Sequence, residues 1–519
     1  MGKKGKDKKK IKGAEKTAMK TEKKMISKQK KHLAALGEDD IETIVAEIEK
    51  EEAKRLEVTE KIVQPPSPRV NFSIVALPEK DEILLFGGEY FNGQQTMVYN
   101  DMYIYNINSG EWKILKVPAG PPPRCGHQMV SVASEGGQLW LFGGEYASTT
   151  QSQFYHYRDL WVYHIVNKRW EKINRSGAPS ARSGHRMLVN KKRLFVFGGF
   201  HDNLRDYKYF NDLYIFSLED YVWIKVEPSG IGPSPRSGCC FVVGSQDRLI
   251  VWGGYSKTAI KKGVDKGTTH TDMYSLCIDK HNTNPNAYKW VSIKPGGIRP
   301  GPRSGMAVCT SITGNLRAYL FGGVTDVEET DDILQGSFND DLLHLDLENI
   351  FWNTVKLTGS KESQKTIIET PQSQEPNQIC DEAENVMQTT VSSDGVFTMV
   401  VGGNISKPGS SVDKVIIEKK DENWPRPRMN AGLVVCKGQL FLFGGMVEIG
   451  SKQITLSDFY SLDIRKLDKW KVIIPCDIST AEWLGSDSES SDDEKCESMS
   501  EDDEDSETSS ESESDVEMN

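Results

Sequence analysis

The residues of this chain best suited to metal or nucleophilic chemistry are nine histidines and nine cysteines, and their spacing builds neither kind of site. No CxxC pair occurs and the cysteine total is odd, which argues against a zinc site and against a disulfide framework. Reduced thiols in the cytosol or nucleus fit better. Cys239 and Cys240 are neighbours in an apolar run, so on a strand they face opposite sides and fill core. His127 and His185 stand at matching places in Cys-Gly-His and Ser-Gly-His, a correspondence that marks a repeat and not a catalytic triad. Gly-Gly doublets close seven apolar runs, at Gly87, Gly143, Gly198, Gly253, Gly322, Gly402 and Gly444, but none has the strand-to-helix setting of a phosphate loop. The expectation is a chain that is not an enzyme, with no catalytic residue, metal or cofactor.

Recognition chemistry is better represented. Polar loops that follow the doublets carry Tyr90 and Phe91; Tyr146, Phe154, Tyr155, His156 and Tyr157; Phe200, His201, Arg205, Tyr207 and Tyr209; and Tyr255. Aromatic and arginine side chains on loops held by a rigid scaffold are the usual anchors of protein–protein recognition. These thirteen residues are the candidate protein-binding set.

The elements that must hold such loops recur along the chain. An arginine, commonly after proline, opens the run before each doublet: Arg69, Arg124, Arg182, Arg236, Arg303 and Arg428. A tryptophan closes the unit: Trp112, Trp170, Trp223, Trp290, Trp352 and Trp470. The doublet at Gly402 has neither mark in phase, so six complete units are counted. Each holds four short apolar or alternating runs separated by turn residues, as in CGHQMVSVA, QLWLFGG, RDLWVYHI and RWEKI. Four strands in a unit of about 55 residues describe a propeller blade.

The apolar run ending in Gly-Gly, the Tyr after it and the spaced Trp resemble the kelch repeat, from Pro65 to Cys476. That resemblance implies an all-β, six-bladed propeller with blades near residues 68–117, 123–174, 181–227, 235–294, 302–357 and 427–474, interrupted by an insert at 358–426. Residues 391–424 carry the competing reading of a degenerate seventh blade. Gly87, Gly88, Gly143, Gly144, Gly198, Gly199, Gly253, Gly254, Gly322, Gly323, Gly444 and Gly445 then turn the second strand near the axis, and the six tryptophans pack between blades. Strand parity puts the connection from strand two to three on the same face as that from strand four to the next blade, and these are the long ones. First and last blades are expected to meet by side-chain packing. The resemblance also implies two competing functions, a substrate receptor of a cullin-type ubiquitin ligase and a metal-dependent oxidase. No BTB-like domain precedes the repeats and no histidine cluster matches the oxidases.

Outside the repeats the chain is polar. Residues 1–36 are lysine-dense and read as a disordered basic tail, able to contact RNA or another polyanion or to act as a nuclear or nucleolar address. Residues 37–62 carry Ile41, Ile44, Val45 and Ile48 at one-face helical spacing, and predict an amphipathic helix lying on its own domain. Residues 486–519 form an acidic, Ser-rich disordered tail in which Ser490, Ser491, Ser498 and Ser500 suit an acid-directed kinase, with basic or ribosomal proteins as partners. The net charge of −11 therefore averages two opposite ends. No apolar run reaches membrane-spanning length. The functional expectation is a monomeric protein-interaction scaffold, cytoplasmic or nuclear, near ribosome assembly if nucleolar.

Overall fold

The computed structural model describes residues 31–33, 35–54, 57–203, 206–261, 264–284, 286–330, 333–359, 423–479 and 483–485, with Lys28 and Ala481. The six units form six sheets whose four core strands are antiparallel and follow chain order from the axis outward. The first strands are Ser73–Ala76, Gln128–Val132, Arg186–Asn190, Cys240–Val243, Ala307–Ser311 and Gly432–Cys436. Each lies beside the next, and Gly432–Cys436 returns to Ser73–Ala76, closing a six-bladed β-propeller.

The recurring tryptophans lock each blade to the one before it. Trp170 lies 5.7 Å from Phe86, Trp223 5.5 Å from Phe142, Trp290 5.6 Å from Phe197, Trp352 5.6 Å from Trp252 and Trp470 6.3 Å from Phe321, centroid to centroid. At the closing seam Trp112 lies 6.0 Å from Phe443. The ring before each doublet thus receives the indole of the following blade, and both are removed from water. Cys239 and Cys240 join the cores on opposite sides of their blade, as alternation requires.

Within the doublets both glycines have positive φ, +64° and +95° at Gly143 and Gly144. A Cβ on Gly143 would meet the Arg182 carbonyl at 2.8 Å, and one on Gly144 the Cys125 carbonyl at 2.7 Å. The Gly144 N–H donates to that Arg182 carbonyl at 2.9 Å. Close backbone approach between blades, and not turning alone, is what selects glycine here.

Two features differ from the expected boundaries. The helix, α1, is Ile41–Glu52, shorter than 37–62, and Thr59–Val63 is a strand that pairs antiparallel with Trp112–Lys116 as a fifth, outermost strand of blade 1. The segment TEKIV has three β-branched residues, Thr59, Ile62 and Val63, which favour a strand, and it is largely exposed, as an edge allows. Residues 31–33 and 35–36, inside the stretch read as a tail, are helical, and Leu33 is buried. Most of the insert, and with it the seventh-blade reading, falls on residues 360–422, outside the described residues. After it, Trp424 Nε1 donates to the Asp340 carbonyl at 2.7 Å.

Candidate functional site

The six arginines that open the units are buried, and each holds its own blade's doublet. Arg124 Nη1 donates to the Gly143 carbonyl at 3.0 Å and to Asp159 Oδ1 at 2.7 Å, while Nη2 reaches Asp159 Oδ2 at 3.1 Å. Asp101, Asp212, Asp272, Asp341 and Asp458 take the same part for Arg69, Arg182, Arg236, Arg303 and Arg428. Burial alone would raise the Asp159 pKa, but the Arg124 charge and hydrogen bonds outweigh it and hold the carboxyl below its ordinary value. A ring lies over the guanidinium in several blades: Tyr99 at 4.3 Å from Arg69, Tyr157 at 3.9 Å from Arg124 and Phe210 at 4.0 Å from Arg182. These six ion pairs set the blade and do no chemistry.

Between strands two and three, five blades raise a separate two-stranded hairpin: Glu89–Phe91 with Thr96–Val98, Glu145–Ala147 with Phe154–His156, Phe200–Asp202 with Tyr207–Tyr209, Tyr255–Lys261 with Val264–Thr269, and Val324–Thr330 with Ile333–Phe338. Blade 6 does the same by extending its own strands, Gln439–Ile449 and Lys452–Asp463. The long-loop face read from parity is therefore an ordered crown.

On this crown the thirteen candidate residues separate. Tyr90, Phe91, Tyr146, Phe154, Tyr155, Phe200, His201, Tyr207, Tyr209 and Tyr255 are half-buried. Phe200 stacks on Tyr209 at 5.9 Å, Tyr209 meets Tyr255 edge-on at 6.4 Å, and the Tyr207 hydroxyl donates to Asp265 Oδ1 at 2.7 Å. That hydrogen bond is the main reason the Tyr207 pKa is pushed up to about 12. Phe91 lies edge-on to Trp483 at 5.9 Å. Tyr157 and His156 are buried, and leave the candidate surface. Tyr157 covers Arg124 and donates its hydroxyl to the Pro123 carbonyl at 3.1 Å, and His156 lies 4.5 Å from His201. Arg205, Ser490, Ser491, Ser498 and Ser500 lie outside the described residues.

Two chain segments rest on the crown. The α1 region attaches to the blade 2 hairpin, where Thr150 N–H and Ser152 Oγ donate to the Glu38 carboxylate at 3.0 and 2.8 Å. Gln153 accepts from the Ile41 N–H at 3.0 Å and donates to the Asp39 carbonyl at 2.8 Å. Asp40 caps the helix by accepting from the Glu42 N–H, and Val45 is buried. Downstream of blade 6, residues 476–479, Ala481 and Trp483 line a cavity of about 560 Å³ beside blade 1, where the Leu484 N–H donates to the Asn92 carbonyl at 2.7 Å and Gln94 Nε2 donates to the Leu484 carbonyl at 2.7 Å.

Along the axis runs a channel of about 440 Å³. Its girdle is Asn71, Gly126, Gly184, Gly238, Gly305 and Asn430, all at positive φ. Backbone bonds link neighbours, from Gly126 N–H to the Asn71 carbonyl at 2.8 Å and from Asn430 N–H to the Gly305 carbonyl at 2.7 Å. His127 and His185 sit just behind it, edge-on to Phe86 and Phe142 at 5.4 and 5.3 Å. Burial pushes the His127 pKa down to about 3, so this ring is neutral packing.

Fold and site together define a β-propeller protein. A family model described as "FBX42, beta-propeller domain" matches residues 69–283, which run from the start of blade 1 into blade 4. Among relatives, Host cell factor of Drosophila melanogaster is 26% identical over 265 residues, 49% of this chain and 16% of that protein. Host cell factor 1 of Homo sapiens is 27% identical over 318 residues, 56% of this chain and 14% of that protein. A protein of Thlaspi arvense named N-(sulfonatooxy)prop-2-enimidothioate sulfolyase is 25% identical over 308 residues, 57% of this chain and 82% of that protein. The match thus spans less than a fifth of either host cell factor. No described helix is long and apolar enough to cross a membrane.

Proposed function

We propose that this chain is a non-enzymatic scaffold that binds proteins on its hairpin crown. The observation that carries the reading is the crown itself: each blade sends one hairpin to the same face, and half-buried tyrosines stand on backbone braced by the buried Arg–Asp pairs. Rigid aromatic anchors lose little entropy on binding, which is what a recognition surface needs. Likeness to proteins named host cell factor supports a propeller of this kind and stops there. The loop sequences GGEYFNG, QFYHYRDLW and RSGHRM, with the lysine-rich and acidic ends, resemble kelch domain-containing protein four.

Replacing Tyr155, Tyr207 and Tyr209 together by alanine is expected to remove most proteins that co-purify with the full chain, at an unchanged unfolding temperature. An unchanged partner set would reject the reading. A nuclear or nucleolar setting near ribosome assembly is the version favoured by the opposed charged ends, and imaging of a form lacking the N-terminal lysines tests it. A ligase-receptor role would need an adaptor-binding element such as α1, yet α1 buries Val45 and is tied to blade 2. Recovery of a cullin in pull-downs would be needed to restore it.

A further inference from the structure

The residue after each doublet stands at one level around the axis. Glu89, Glu145, Phe200, Tyr255, Val324 and Met446 each form a backbone bridge with the residue that follows their blade's buried arginine. On the crown side of the channel Glu145, Phe200 and Tyr255 line the wall, and Glu89 stands beside them, bonded to the lining Asn71, so two carboxyls are adjacent on blades 1 and 2 and two aromatic rings on blades 3 and 4.

Both carboxyls are held in place. Asn71 Nδ2 donates to Glu89 Oε1 at 2.7 Å, and Ser183 Oγ donates to Glu145 Oε2 at 3.0 Å. Among the described residues neither carboxyl forms an ion pair with lysine or arginine; His156 Nε2 lies 3.4 Å from Glu145 Oε2, and the acids Glu89 and Asp202 also act on Glu145. Burial pushes the His156 pKa down to about 3, so the imidazole supplies no positive charge. Burial, then the nearby Glu89 charge, pushes the Glu145 pKa up to about 8, and burial raises that of Glu89. Arg186 also lines the channel, two residues beyond the girdle, with its guanidinium donating to the Cys239 and His185 carbonyls. The rim therefore combines uncompensated acceptors with π faces, the pairing that recognises an organic cation in a desolvated site.

We propose that the crown-side mouth of the channel receives one arginine or lysine side chain of a partner protein, with Glu89 and Glu145 as counter-charges and Phe200 and Tyr255 as an aromatic wall. The proposal rests on the crown being a protein-binding face, and supplies the chemistry at its centre. A cation entering here restores the ionised carboxylates that burial now disfavours.

The test uses the full chain and calorimetric titration with a capped heptapeptide carrying a central arginine flanked by leucine, serine and glycine. Saturable one-to-one binding is expected. It should weaken at least tenfold when citrulline replaces the arginine, and at least tenfold in the Glu89→Gln/Glu145→Gln variant at an unfolding temperature no lower than wild type. Absence of saturable binding by both the arginine peptide and its lysine counterpart overturns the proposal, as does binding indifferent to citrulline or to the double variant. Co-purification separates it from the broader reading: if the tyrosine variant loses its partners while the glutamine variant keeps them all, the cation site fails and the crown stands.

Discussion

Arg428 and Asp458 have no exposed side-chain surface, and the guanidinium also donates to the Gly444 carbonyl at 2.9 Å. Removing one member of such a pair leaves an uncompensated buried charge, which costs about 3–5 kcal/mol. Asp458→Ala is therefore expected to lower the urea midpoint sharply, whereas removing Glu219 from its exposed pair with Lys192 should leave the midpoint nearly unchanged. Glu145 works in the opposite direction. Its side chain is 18% exposed, and its pKa is raised from 4.5 to about 8, so the folded state holds a proton that the unfolded state has released in that window. Stability is then lost as pH rises from 4.5 to 8, at most on the order of 5 kcal/mol over the window. Glu145→Gln should match wild type near pH 4.5 and exceed it at pH 8; equal pH profiles would show that the acid is not perturbed. Legibility at this scale was mixed. The arginines, glycines and tryptophans announced themselves by recurrence, but the six aspartates went unread although five sit just before the third strand, as in YNDMY, HYRDLW and FNDLY, and Asp458 lies within it. Reading that register would also have taken Tyr157 off the surface list, since it occupies the place of Tyr99 and Phe210 over the arginine.

Among elements, the crown followed from parity alone, because a four-stranded antiparallel blade leaves no choice about which connections share a face. Parity could not show that the loops are hairpins, nor what lies across them, since those contacts join segments hundreds of residues apart. Residues 483–485 are the clearest case: Trp483 against Phe91 and Leu484 bonded to Asn92 place a segment downstream of blade 6 on blade 1. A side chain at Gly93 would collide with the Gly485 backbone. A chain ending at residue 485 should unfold like the full protein, because it keeps these contacts. Ending the chain at residue 475 should speed amide exchange in Glu89–Phe91 and Thr96–Val98 and leave the hairpins of blades 3 and 4 as protected as before. If exchange in blade 1 is indifferent to this deletion, the segment is not a clasp.

Among the described residues the ring closes without a shared strand. The segment inside the blade 1 sheet is Thr59–Val63, from the N-terminal side and on the outer edge, so it adds to that blade and does not bridge the seam. Blades 1 and 6 are joined by the kinds of contact found between other neighbours: the Gly445 N–H donates to the Arg69 carbonyl at 3.1 Å, and Trp112 lies 5.5 Å from Phe459 and 6.0 Å from Phe443. What this interface lacks is the peptide link that holds every other pair at high effective concentration. Truncating either Trp112 or Trp223 to alanine removes a comparable buried indole and should cost about 3–5 kcal/mol. The two losses should nevertheless look different. After Trp223→Ala the chain between Ile173 and Arg186 keeps blades 2 and 3 together, so protection falls across the ring as a whole. After Trp112→Ala the seam can part with blades 2 to 5 intact, and amides of Ser73–Ala76 and Gly432–Cys436 should exchange well before those of Arg186–Asn190. Adding the deletion after residue 475 to Trp112→Ala should deepen that local loss by more than the sum of the two changes, because both restraints act on one opening. Identical exchange patterns for the two tryptophan variants would mean that connectivity contributes nothing measurable to closure.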